Sequence, residues 1–171
     1  MRTIIYLDVD GVINAISGNP PKANTQWTGE WSKEKIEDWW ILWSHELVEN
    51  INLLAARDDV TVKWLTTWQE LAPKELCPVT GIQGQSWEVL YGDIHSHGYM
   101  GADWWKLDAI QEDLDKERPD KAVWIDDDIY MFRRAMDWAE NHPEIRVVCP
   151  TMAHGVTKKH INGIIEFINA S

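Results

Sequence analysis

The chain has 171 residues, enough for one domain with its own apolar core. Its formal charge of −12, from 28 acidic and 16 basic residues, argues against holding a long nucleic acid tract on a basic surface. No segment approaches the length of a membrane span and no signal-peptide architecture is visible, so a cytoplasmic protein is the expectation.

Thr3–Leu7 (TIIYL) is a β-branched apolar run and reads as a buried strand ending at Asp8. Gly11 follows, then a stretch rich in Gly, Pro and Asn at Ser17–Asn24. Gln26–Trp43 is crowded with Trp and charge. It reads as an insertion or flap, with a hairpin as one form, leading into a helix; the whole insertion covers about residues 14–43. Ser44 is a helix N-cap candidate, and Leu47, Val48, Ile51, Leu54 and Ala55 form a stripe at helical spacing that Asp58-Asp59 ends.

Val60–Leu65 (VTVKWL) reads as a second strand and stops at Thr66-Thr67. Trp68–Leu76 is expected to be a short helix closed by Pro78. Gly81–Gly101 is irregular, with a short strand expected at Trp87–Leu90. A helix from about Ala102 to Lys116 carries Trp105, Leu107, Ile110 and Leu114, and Pro119 breaks it. Lys121–Ile125 (KAVWI) is a third strand and runs into Asp126-Asp127-Asp128. A helix at about Tyr130–Asn141, a strand at Ile145–Val148 and a helix at about Thr157–Asn169 complete the chain. Strands alternating with helices predict an α/β fold, a Rossmann-like parallel sheet with helices on both faces, in a single domain over residues 1–171.

In such a sheet ligands collect outside the carboxyl ends of the strands. Three strands end there in Asp8-Val9-Asp10-Gly11, Thr66-Thr67 and Asp126-Asp127-Asp128. Asp8, leaving a buried strand, has little freedom and suits attack on phosphorus. Asp10, two residues on, suits a general acid and then a base for water. Asp126 and Asp127 offer hard oxygen ligands suited to Mg²⁺. Thr66 offers a hydroxyl and an N–H to a phosphoryl oxygen, with Thr67 as the alternative, and Lys106 adds a cation. Taken singly, each residue has an ordinary structural reading, and the acidic run could simply cap a helix. Their order and spacing together carry the argument.

These residues resemble the motifs of the haloacid dehalogenase-like (HAD) superfamily. DVDGV at Asp8–Val12 resembles its first motif, WLTT at Trp64–Thr67 its second, Lys106 its third and WIDDD at Trp124–Asp128 its fourth. The resemblance implies a small phosphatase with a minimal cap or none. It implies Asp8 as nucleophile, forming an aspartyl-phosphate, and Asp10 as acid/base. Mg²⁺ would be held by the Asp8 carboxylate, the Asp10 main-chain carbonyl and Asp126, with Asp127 as ligand or just behind, while Thr66 and Lys106 bind phosphate. The TTW at Thr66–Trp68, the Trp-rich segment and HGVT at His154–Thr157 are also similar to small HAD-like proteins of actinobacteria and their phages, some grouped with RNA-repair phosphatases.

The expected substrate is a phosphorylated small molecule or a nucleic acid end. The alternative functions are a nucleic acid 3′-end phosphatase or nucleotidase and, in another class, a HAD-fold interaction protein with little turnover. Cys77 and Cys149 fit no metal-ligand spacing and read as free thiols. His95-Ser96-His97, with Asp93 and Asp103 nearby, reads as a solvated loop ahead of a zinc patch. Trp27, Trp31, Trp39, Trp40 and Trp43 fit packing of the insertion over the sheet, ahead of a base-stacking platform or a partner surface.

Overall fold

The computed structural model describes residues 1–93 and 104–170. In chain order the elements begin with β1 (Thr3–Leu7), the single helical turn α1 (Lys22–Thr25), a hairpin of β2 (Trp31–Ile36) and β3 (Trp39–Ser44), and α2 (His45–Ala55). Then come β4 (Val60–Trp64) and a π-helical turn (Ala72–Leu76) that runs straight into α3 (Cys77–Thr80). The remainder is α4 (Trp105–Glu117), β5 (Lys121–Ile125), a 3₁₀ turn (Ile129–Met131), α5 (Arg133–Glu140), β6 (Ile145–Val148) and α6 (Lys158–Asn169).

The four apolar strands pair in parallel in the order β4-β1-β5-β6, which puts β1 in the interior. Alternation along β1 sends Ile5 and Leu7 to one face and Ile4 and Tyr6 to the other. The first face packs against Leu47, Val48, Ile51 and Leu54 of α2 and Ile161, Ile164 and Ile168 of α6. The second packs against Trp105, Leu107 and Ile110 of α4 and Ala135 of α5. Each aliphatic side chain fully withdrawn from water in these layers contributes about 1.5–3 kcal/mol before the entropy of ordering is subtracted. The helices start where their sequence caps them. The Ser44 hydroxyl accepts from Leu47 N, and the Thr157 hydroxyl accepts from His160 N while His160 Nδ1 accepts from Thr157 N.

Three local expectations are corrected. Trp68–Leu76 is not one helix closed by Pro78: Trp68–Glu70 forms turns, Ala72–Leu76 is π-helical, and Pro78 sits in the first turn of α3, which Gly81 (φ +83°) ends. Pro73 and Pro78 cannot donate, so a regular i→i−4 ladder is interrupted twice, while an early helix position tolerates proline. The expected strand at Trp87–Leu90 reduces to a single parallel bridge between Val89 and Trp64. The helix expected from Tyr130 begins as a 3₁₀ turn, and α5 proper starts at Arg133.

The Trp-rich stretch forms the antiparallel hairpin β2–β3, with Trp31 opposite Ser44 and Ile36 opposite Trp39. Its tryptophans divide. Trp27 and Trp43 are buried in the core and Trp31 packs against it, whereas Trp39 and Trp40, next to the turn, are exposed. His95, His97 and Asp103 lie outside the described residues. Among the described residues no helix is long and apolar enough to cross a membrane.

Candidate active site

The ladder hydrogen bonds continue past the strand ends and fix the three tips: Asp8 N donates to Ile125 O, Leu65 N to Leu7 O, and Asp126 N to Val148 O. Beyond Asp8 the backbone winds around one carbonyl, Val9 O, which accepts from the amides of Val12, Ile13 and Asn14. Gly11 makes this turn at φ +65°. A Cβ at Gly11 would lie 2.1 Å from Asp127 Oδ2, so glycine is also what lets the Asp127 carboxylate rest against the loop. From behind, Val156 N donates to Val12 O and Gly155 packs on that same carbonyl, which explains why the HGVT segment sits where it does.

Lys106, one residue into α4, points its ammonium between the first and third tips. Its Nζ donates to Asp8 Oδ2 at 2.8 Å and to Asp126 Oδ2 at 2.5 Å. All three residues are buried. Burial works to lower the lysine's pKa, but Asp126 and Asp8 override it and hold the ammonium above its ordinary range. The other oxygens are also engaged, Asp8 Oδ1 by Val9 N at 2.7 Å and Asp126 Oδ1 by Asp128 N at 2.9 Å.

Carboxylate oxygens of Asp8, Asp126 and Asp127 lie within 4.8 Å of one another. Burial, then Asp128 and Asp8, push the Asp127 carboxyl up to about 7 against the pull of Lys106. Converging hard oxygens with an excess of negative charge fit a small divalent cation such as Mg²⁺, and the Gly11 cradle keeps the third oxygen in place.

The Asp10 carboxylate stands outside that trio. Trp68 Nε1 donates to its Oδ2 at 2.8 Å and Asn14 Nδ2 to its Oδ1 at 2.8 Å. Neither Asn14 nor Trp68 was singled out from sequence for this role. The available signal was an amide side chain four residues after Asp10, in a loop bound to turn back on itself. The two threonines part company. Thr66 is fully buried and its hydroxyl accepts from Trp68 N, whereas Thr67 is exposed and lines the site.

These groups surround a cavity of about 350 Å³, with Asp8, Asp10, Lys106 and Asp127 on its polar side and Trp104, Met131, Phe132 and Met152 on its apolar side. Trp104 is sandwiched between Trp124 and Phe132, with ring centroids 5.2 Å and 4.1 Å away. A larger cleft, about 450 Å³, opens at the start of β5 beside Arg118, Trp138 and His142. It lies at the amino end of the strand and lacks the convergent carboxylates, so the smaller cavity is the chemical candidate.

Comparisons with known proteins bear on the family and the fold. The family model described as the HAD domain in Swiss Army Knife RNA repair proteins matches residues 4–161. The HAD domain of the Legionella pneumophila effector protein Lem4 superposes with a TM-score of 0.62 at 14% identity, covering 98% of this chain and 97% of that one. An inactive mutant of the same domain gives 0.63 at 13% identity, covering 99% and 95%. The L. pneumophila effector Ceg4, crystallised with an N-terminal yeast Hog1p sequence, gives 0.61 at 19% identity, covering 97% and 95%. At these identities the structures establish a shared fold. No curated protein matches the chain.

Proposed function

This chain belongs to the family of HAD domains found in Swiss Army Knife RNA repair proteins, and from that premise we propose that it is a Mg²⁺-dependent phosphomonoester hydrolase. The observation that carries the reading is the buried Asp8–Lys106–Asp126 bridge, set beside Asp10 and Asp127 in one cavity. Asp8, Asp126 and Asp127 would hold the metal with their carboxylates, joined by the Asp10 main-chain carbonyl. When bound, the ion supplies charge neutralisation between an anionic phosphate and an anionic nucleophile.

The chain's own residues perform the rest. An Asp8 oxygen attacks phosphorus, forming an aspartyl-phosphate while the bond to the leaving oxygen breaks. Asp10 gives that oxygen a proton, then takes one from the water that hydrolyses the acyl phosphate, releasing inorganic phosphate and restoring Asp8. Lys106 holds Asp8 in place and faces the transferred group as a fixed cation. Thr67, exposed in the cavity, donates to a phosphoryl oxygen, and Thr66 shapes the turn beneath it. The substrate is a phosphorylated small molecule or a nucleic acid end. The formal charge of −12 disfavours a long polymer track, and the thiols of Cys77 and Cys149 suit the reducing cytoplasm.

A nucleic acid 3′-end phosphatase or nucleotidase is the second reading, favoured by the RNA-repair family and by the apolar wall at Met131 and Phe132. The test is hydrolysis of an aryl phosphate, mononucleotides and 3′-phosphorylated oligonucleotides, with Mg²⁺ or EDTA. Turnover is expected with Mg²⁺, at least about 10³-fold lower in Asp8→Asn and lost in EDTA. An Asp8→Asn protein as active as the parent would sink the mechanism. No turnover on any ester would favour an interaction protein on this fold.

A further inference from the structure

We propose that Trp68 and Asn14 are positioning residues that aim the Asp10 carboxylate, and that the β2–β3 hairpin is the platform from which Asn14 does so. The inference rests on the reading of Asp10 as the proton donor to the leaving group.

Both Asp10 oxygens are engaged by neutral donors, Trp68 Nε1 and Asn14 Nδ2, each at 2.8 Å. Asp10 itself is half-buried, while Trp68 and Asn14 are 6% and 4% exposed. Donors arriving at both oxygens from separate elements leave the carboxylate one rotational setting. Asn14 is in turn anchored to β3: its Oδ1 accepts from Leu42 N at 2.9 Å, and its Nδ2 also reaches Trp40 O at 3.4 Å. Its backbone carbonyl accepts from Gly11 N at 3.0 Å, closing the loop that carries Asp10. Trp68 is fixed from the other side, where its backbone N–H donates to the buried Thr66 hydroxyl just beyond β4.

Packing alone does not account for the indole contact. Trp27 and Trp64 give their indole N–H groups to backbone carbonyls, and the buried indoles of Trp31, Trp43, Trp105 and Trp124 find no protein acceptor. Trp68 gives its indole N–H to a carboxylate inside the candidate cavity. Proton transfer requires hydrogen-bond reach to the leaving oxygen, and a misplacement of about 1 Å in a reacting array costs on the order of 10²-fold in rate. Releasing either oxygen lets the carboxylate rotate away from that line.

The readout is dependence on the leaving group. An alkoxide must be protonated as it departs, whereas p-nitrophenolate leaves with little help. The measurement is kcat/KM, which stops at phosphoryl transfer to Asp8, for an alkyl phosphate and for p-nitrophenyl phosphate. Trp68→Phe keeps an aromatic ring, though a smaller one, and removes the donor. Asn14→Ala removes the donor without placing a second carboxylate 2.8 Å from Asp10, and serves should Trp68→Phe fold poorly. Each is expected to lower kcat/KM for the alkyl ester about tenfold or more and for p-nitrophenyl phosphate less than about threefold. Equal losses on the two esters, or none on either, would overturn the proposal. Asp10→Asn is the internal reference: if it shows no such split while the parent turns over, the assignment of Asp10 as acid fails first.

Discussion

Two lysines are buried on the α4 side of the sheet, and each sits among three carboxylates. Lys106 lies at the carboxyl end of the strands between Asp8 and Asp126, with Asp127 beside them. Lys63 lies in β4, opposite Tyr6 in the strand register, with Asp113, Glu88 and Glu117 around it. Inspected as acidic trios the two look alike. They differ in charge balance. Around Lys63, Arg2 also pairs with Glu117 and Lys116 with Glu88, so three cations answer three carboxylates. Asp113 spends one oxygen on Lys63 at 2.7 Å and the other on the Tyr6 hydroxyl at 2.9 Å. Both clusters border open space, a pocket of about 220 Å³ at Glu88 and Asp113 and the candidate cavity at Lys106, but around Lys106 the excess stays negative. A saturated cluster inside the fold holds elements together, whereas an unsaturated one at the strand tips has chemistry left to do.

Exchanging the two clusters' lesions tests that division at its widest. Lys106→Met is expected to lower turnover by 10²-fold or more, the scale of a lost transition-state donor. Asp113→Ala is expected to leave turnover per folded molecule unchanged but to cost about 3 kcal/mol, because Lys63 stays buried without its closest inward partner. For a chain of this size that lowers Tm by roughly 6–12 °C. The two clusters share α4, where Lys106, Ile110 and Asp113 fall on one face, so the comparison is made at a temperature where both variants remain folded. A loss of activity in Asp113→Ala as large as in Lys106→Met would erase the distinction.

Metal binding separates the trios without any substrate. Mg²⁺ at about a hundred times its Kd is expected to stabilise the protein by about 2.7 kcal/mol, raising Tm by roughly 5–10 °C. Asp127→Asn removes a ligand and should shrink the shift to near zero. Glu117→Gln, in the trio that already contains its cations, should leave it intact. A shift that follows Glu117 instead of Asp127 would put the metal in the wrong cluster.

Of the two clusters only the one at Lys106 was legible in the sequence, and the limit has a physical cause. β1, β4 and β5 announce themselves because apolar runs broken by abrupt carboxylates or hydroxyls can only be buried strands with reactive tips, and the convergence of Asp8, Lys106 and Asp126 follows from parallel pairing. The Asp10 clamp was not legible, because Asn14 and Trp68 are 54 residues apart and meet only once the loop after β1 has closed against the turn after β4. The Lys63 cluster was hidden for the opposite reason. Lys63 interrupts the apolar run VTVKWL where a polar residue in a strand normally marks a solvent face, and its partners come from α4 and from an irregular segment with no periodicity to read. The outward turn of Trp39 and Trp40 depends on hairpin register, which a run of aromatic residues does not specify.

The smallest effect concerns the rim of the Lys63 cluster. Lys63 donates to Glu88, at 2.6 Å, and holds its carboxyl below the ordinary value of 4.5, although Glu88 is half exposed. A carboxyl depressed on folding adds stability that is present above its unfolded pKa and is lost as pH falls through the folded one. Stability of the parent and of Glu88→Gln, measured from pH 6 down to 3, should therefore differ by less than about 1 kcal/mol at the upper end, the usual scale of an exposed ion pair. The difference should vanish at the lower end and shrink in high salt. A gap that stays constant with pH would mean that Glu88 acts by packing alone. The neutrality of the Lys63 cluster would then rest on Asp113 and Glu117, and its contrast with the candidate site would be that much weaker.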